Sequence, residues 1–297
     1  MTSATDISTG IRAHRAGLDV WMDRVLERAD KVLPDWEADD IHDLRTALRR
    51  CRTMADALEQ VNPAPGWRKL KHGSRDLFQA MGSLRDTQIE RQWIKKLARP
   101  GDALRKLMLR LLARQEAHQR IVAEKSLEDF DRKSWRKWSR KLSPKVRFFP
   151  PESVVFQRLA LAELNQVVEL FQHARKRPSS VAWHRLRIGL KRFRYIVENF
   201  LPQRYEVWVE DLKALQDLLG DVHDLDVLRV AIRRHRSRLN PELVALWFDN
   251  IKAERKTRLA EFLARTTGKE SPWLIWRAGF HWGDTIKAAP MPQRQTA

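Results

Sequence analysis

One stretch of sequence occurs twice. IHDLRTALRRCRTM at residues 41–54 aligns with WHRLRIGLKRFRYI at 183–196, an offset of about half of the 297 residues. His42 aligns with His184, Leu44 with Leu186, Arg45 with Arg187, Leu48 with Leu190, Arg49 with Lys191, Arg50 with Arg192 and Arg52 with Arg194. A second pair follows in the same order. MGSLRDTQI at 81–89 aligns with LGDVHDLDV at 219–227, so Gly82 meets Gly220, Arg85 meets His223 and Asp86 meets Asp224; upstream, Arg75 meets Lys213. Two motifs repeated in order at similar spacing are the signature of a duplicated unit. Whatever one half folds into, the other must fold into as well.

The unit is helical. Apolar residues recur at intervals of three and four, as in Leu44, Leu48, Cys51, Ala55 and Leu58, and period-two alternation is scarce. Glycine is rare at 11 residues, and Leu, Ala, Arg, Lys, Glu and Gln abound. Breaks are expected at Pro34, Asn62–Gly66, Pro100-Gly101, Pro144–Pro151, Pro178–Ser180, Pro202, Asn240-Pro241 and Pro272. They cut the chain into about ten helices. The expected fold is all-α, in halves of similar length, 10–145 and 150–285, within one domain spanning 1–290.

On a helical wheel, His42, Arg45, Arg49 and Arg52 share an arc of about 80°. The apolar residues Leu44, Leu48, Cys51, Met54, Ala55 and Leu58 occupy the arc from about 120° to 240°. The second copy repeats this with His184, Arg187, Lys191 and Arg194 against Leu186, Leu190, Phe193, Ile196, Val197 and Phe200. Arg50 and Arg192 fall off the stripe, near 80°. Cations at i, i+3 and i+4 repel one another by a few tenths of a kcal/mol per pair. No acid on the stripe offsets this. A ligand with serial negative charges would, and a stripe about 15 Å long accommodates several phosphates. A single such stripe is usually a solvated face; its recurrence with histidine at the head points to a ligand.

Whole-chain charge agrees. Lys plus Arg number 57 against 38 Asp plus Glu, a net +19, which favours a polyanionic partner. Residues 1–40 are acidic at −4, and Arg132–Arg147 carries eight bases and no acid, interleaved by Trp135 and Trp138. The single Cys51 excludes a disulfide framework and a cysteine zinc site. No apolar run is long enough to span a membrane, and no signal peptide is visible. A cytoplasmic protein is expected.

With these residues on the page, the chain resembles the CHAD domain family, the conserved-histidine α-helical domain. HDLRTALRRCR followed by LRD, and HRLRIGLKRFRY followed by LKALQDLLGDVHDLDVL, carry the likeness over residues from about 10 to 285. The resemblance implies two four-helix bundles related by a pseudo-twofold axis, with basic helices of both facing a central cleft. It implies binding of inorganic polyphosphate, association with polyphosphate granules, and a binding rather than a catalytic role. The residues it assigns to polyphosphate are His42, Arg45, Arg49, Arg50, Arg52, Arg75, Arg85, His184, Arg187, Lys191, Arg192, Arg194, Lys213 and His223. For Arg50 and Arg192 a structural salt bridge is an equal alternative, and Asp86 and Asp224 are expected to hold neighbouring bases in place. Thr87-Gln88 replaces Leu225-Asp226 in the first copy, and Cys51 stands opposite Phe193. The Glu-x-Glu-x-Lys signature of the triphosphate-tunnel domain is absent, so a stand-alone module is expected.

Rival chemistries fit less well. His42-Asp43 and His223-Asp224 are dipeptides of the kind metal phosphohydrolases use, but position 43 becomes Arg185 in the other copy. His14, His72, His118, His173, His235 and His281 show no ligand spacing. No Gly-rich phosphate loop, HExxH or GxSxG occurs, so no cofactor, metal or catalytic residue is expected. Nucleic acid is the serious alternative partner; Trp135 and Trp138 would supply the stacking that the stripes lack. Trp273, Trp276 and Trp282 are expected to pack the last helix onto the body.

Overall fold

Prolines and short polar side chains place the helix starts. In the computed structural model, which describes residues 17–98 and 101–280, Pro65, Pro202, Pro241 and Pro272 each occupy the first turn of a helix, where a missing N–H costs nothing. Asp102, Asp131, Ser179 and Asn240 cap helices with their side-chain oxygens; Ser179 Oγ, for example, accepts from Ala182 N at 3.1 Å. Pro144 does not break its helix, which runs on to Arg147.

Eleven α-helices and no strand are found among the described residues. They are α1 (Leu18–Asp35), α2 (Ala38–Val61), α3 (Pro65–Gly73), α4 (Arg75–Leu97), α5 (Ala103–Glu128), α6 (Arg132–Arg147), α7 (Val154–Lys176), α8 (Ser180–Phe200), α9 (Pro202–His235), α10 (Pro241–Thr266) and α11 (Pro272–Ala278). Residues up to 16, and His281 and Trp282 with the rest of the C-terminus, lie outside the described residues.

Packing follows the same order in both halves. Helices α1 and α2 pair as α7 and α8 do, α4 and α5 as α9 and α10, and α2 and α4 as α8 and α9. The halves meet where α2 packs on α8 and α4 on α9. Helices α3 and α6 are additions to the first half; α6 lies on α1 and α3. The repeated apolar stripes, Leu44 through Leu58 on α2 and Leu186 through Phe200 on α8, are all buried. Gly189 lets α7 come close to α8, since a Cβ there would stand 2.9 Å from Leu170 Cδ1.

Both hydrophobic cores draw on both halves. The larger gathers α1–α4 and α6–α8 with the last turns of α5 and α10, the first part of α9, and α11; Trp273 and Trp276 lie in it. The smaller joins the far ends of the two hairpins, Trp93, Met108 and Leu112 against Leu228, Ile232 and Trp247. The fold thereby fixes α2 and α8 side by side, with the remaining arc of each helix free to carry charge.

Candidate functional site

With their leucine arcs buried, α2 and α8 turn their basic stripes into common ground. Arg45 and Arg49 of α2 and Arg187 and Lys191 of α8 are half-buried, and His42 is exposed at the head of α2. Their mutual influence shows that the stripes converge. Burial, then Arg49, Arg187 and Arg45, push the Lys191 ammonium well below its ordinary range, with Asp224 opposing. Burial and Arg49 bring the Arg45 guanidinium down to about 10, Asp86 opposing and Arg187 adding. Arg187 is likewise lowered by burial and Arg49, against Asp224.

The two halves hold their arginines differently. Arg45 Nη1 donates to the Gly82 carbonyl at 3.2 Å and to Asp86 Oδ1 at 3.3 Å. Gly82 makes room, because a Cβ there would stand 3.3 Å from that nitrogen. The repeat partner Gly220 has nothing within 4 Å of a built Cβ, and Arg187 Nε is buried without an acceptor. Asp224, the mate of Asp86, is pushed up to about 6 by burial, with Arg187 and Lys191 pulling it down and Asp221 and Asp86 raising it.

The histidines complete the cluster. His184 Nδ1 lies 3.1 Å from His223 Nδ1, so one ring must donate and the other accept. Burial, Arg187, His184, Lys191 and Arg45 take His223 down to about 3. Burial, Arg187 and Lys191 also lower His184, Asp86 opposing. In the first half the corresponding partners are His42 and Arg85. Burial and then Arg85 lower His42, which Asp43 raises. Arg85 Nε and Nη1 are buried with no protein acceptor. The result is a group of cations and neutral imidazoles from both halves, moderated by Asp86 and Asp224. In the absence of an anion it is electrostatically strained.

Several other predicted site residues are engaged in contacts of their own. Arg50 is buried; it donates to Glu198 Oε1 of α8 at 2.7 Å and stacks on Trp21 with its Cζ 4.1 Å from the ring centroid. This is the salt-bridge alternative, and it joins the halves. Arg194 binds Gln216 Oε1 at 2.8 Å and approaches Glu198 Oε2 at 3.8 Å; burial opposes its charge, but Glu198 and Tyr205 raise it overall. Arg52 donates to Lys71 O and, at 3.2 Å, to Ser74 Oγ. Arg75 is exposed but close enough to lower Arg52. Arg192 is half-buried and Lys213 exposed.

Two aromatic expectations change. Trp135 is fully buried and donates Nε1 to Met22 O at 2.9 Å; Trp138 is half-buried beside it. Trp135 therefore anchors α6 to the core and is closed to stacking, and the partly buried Trp138 packs against the same core. Phe78 of α4, not singled out from the sequence, is half-buried, with Arg52, Arg45 and Arg49 at 5.2, 5.6 and 6.0 Å from its ring. Its position three residues after Arg75, matched to Gln216 in the second copy, was the available signal.

No group of His, Cys, Asp and Glu among the described residues is arranged to hold a metal. No helix among them is long and apolar enough to cross a membrane. The chain matches the family model for the CHAD domain over residues 16–233. It is similar to the crystal structure of the CHAD domain from the plant Ricinus communis, with a TM-score of 0.58 and 20% identity over 95% of this chain and 93% of that one. No curated protein matches it.

Proposed function

The chain belongs to the CHAD domain family, and from that premise we propose that it binds inorganic polyphosphate without catalysis. In this reading the halves are two four-helix bundles about a pseudo-twofold axis, and the polyanion lies in a cleft along the α2–α8 junction. His42, Arg45, Arg49, Arg85, Arg187 and Lys191 contact successive phosphates, with His184 and His223 as neutral donors that gain charge as phosphate arrives. The observation that carries it is the mutual repulsion of Arg45, Arg49, Arg187 and Lys191 across the two halves. A folded chain pays such a cost where a ligand repays it. Arg50, Arg194 and Arg52 support the site through the contacts that fix α2 and α8. Recruitment to polyphosphate granules in the cytoplasm follows from the same affinity.

The test is a competition titration at fixed, near-physiological salt. Labelled long-chain polyphosphate is displaced by single-stranded RNA, duplex DNA and triphosphate, with Arg45→Glu, Arg187→Glu and Arg136→Glu as variants. Polyphosphate is expected to outcompete the others beyond its charge density. Arg45→Glu and Arg187→Glu should each weaken binding by about tenfold or more, and Arg136→Glu, on the exposed outer face of α6, by far less. Equal competition per charge, or an equal loss at Arg136, would mean that the net charge alone attracts polyanions, nucleic acid included.

A further inference from the structure

A second cationic site lies at the start of α8, where the turn from α7 meets α9 and α10. It is a cavity of about 480 Å³, and none of its lining residues belongs to the cluster described above. That volume is in the range of small-ligand sites. Arg175, Arg229 and Arg255 line it, and no carboxylate does. Ser179 and Ser180 bring the N-terminus of α8, whose first N–H groups have no partner within the helix.

Its polar groups are only partly used. Asp226 accepts from Arg255 Nε at 3.0 Å and Nη2 at 3.2 Å, which orients that guanidinium and leaves Nη1 uncommitted. Arg229 reaches Asp226 only at 3.9 Å, and its Nε is buried without an acceptor. Trp183, only 4% exposed, lines the cavity with a buried Nε1 that also has no acceptor. Leu259 and Leu263 supply an apolar wall.

The first half lacks these features. Ile41 stands where the second half has Trp183, and Gln88 where it has Asp226. Arg91, the counterpart of Arg229, is neutralised by Glu116. The two copies therefore differ at Ile41 against Trp183 and at Gln88 against Asp226, and their common arginine faces a different carboxylate in each, Glu116 in the first and Asp226 in the second.

We propose that this cavity binds a small organic phosphate: a monophosphate ester with a planar body that carries a hydrogen-bond acceptor, the chemistry of a nucleoside monophosphate. Arg175, Arg229 and the α8 N-terminus hold the phosphate, the leucine wall covers the body, and Trp183 Nε1 donates to it. The site is independent of polyphosphate binding in the α2–α8 region.

The test uses the full chain labelled with ¹⁵N and titrated with AMP, with inorganic phosphate and adenosine as comparators. The Trp183 indole N–H resonance, assigned by its loss in Trp183→Phe, should move saturably with AMP at about 1 mM or below. Arg175→Gln with Arg229→Gln should weaken AMP by about tenfold or more, as should replacing AMP by inorganic phosphate. Arg45→Glu should leave AMP binding unchanged. The proposal is overturned if the indole resonance stays fixed, if the double variant binds AMP normally, if inorganic phosphate matches AMP, or if Arg45→Glu abolishes the effect, which would place AMP in the cluster.

Discussion

Replacing Lys191 by methionine separates the cost of the cationic cluster from its use. Lys191 is half-buried, and burial, then Arg49, Arg187 and Arg45, lower its ammonium well below the ordinary range, with Asp224 opposing. Methionine keeps the unbranched stem and removes the charge. Replacing buried ionic groups by well-packed apolar side chains of like volume is often neutral or stabilising by roughly 1–4 kcal/mol. Partial solvent access at Lys191 argues for about 1–2 kcal/mol, which raises the Tm by about 2–3 °C in a chain of this size. The same substitution removes a charge-assisted contact of about 1.5–3 kcal/mol, so polyphosphate affinity should fall about 10- to 100-fold. The pH dependence has a definite sign. A lysine depressed in the folded state binds more protons when unfolded, so wild-type stability rises with pH from the folded pKa up to the unfolded value near 10.5. The advantage of Lys191→Met is therefore largest below the folded pKa and closes as pH approaches 10.5. Calorimetric unfolding at neutral pH and near pH 10.5, with a polyphosphate titration at neutral pH, measures all three effects. A neutral-pH Tm equal to or below wild type, or undiminished binding, refutes the reasoning.

Three further outcomes follow from the same structure. Burial, Arg187, His184, Lys191 and Arg45 hold His223 at about 3; a bound polyanion offsets those cations, so polyphosphate should take up protons and bind more tightly at about pH 5.5 than at pH 7.5. Calorimetry in buffers of different ionisation heat detects the uptake, which His223→Gln should reduce; heats independent of buffer would contradict it. Without ligand the linkage runs the other way, since histidines depressed below 6.5 cost stability as pH falls through that value toward 3. Glu198→Ala should cost about 3–5 kcal/mol, because it leaves Arg50 buried without its partner and loosens Arg194. A denaturant-unfolding loss under about 1 kcal/mol would show that the ion pair does not join the halves.

What the sequence by itself determined is local and periodic. The prolines at 65, 202, 241 and 272 marked helix boundaries, and the leucines of residues 44–58 and 186–200 were set to face inward, because backbone chemistry and a 3.6-residue period govern both. The basic arcs opposite those leucines were equally legible, and so was the recurrence of the motif that carries them. Tertiary structure decided what each cation faces. Arg50 lies between the leucine arc and the basic arc, and α8 turned it into a buried partner of Glu198. His223 met His184 from a different helix 39 residues away, Phe78 arrived from α4 beneath three arginines, and Trp135 was claimed by α1. The physical reason is that a helical period assigns a side chain its angle, but only the neighbouring helix decides whether that angle meets an acid, another cation, a ring or water.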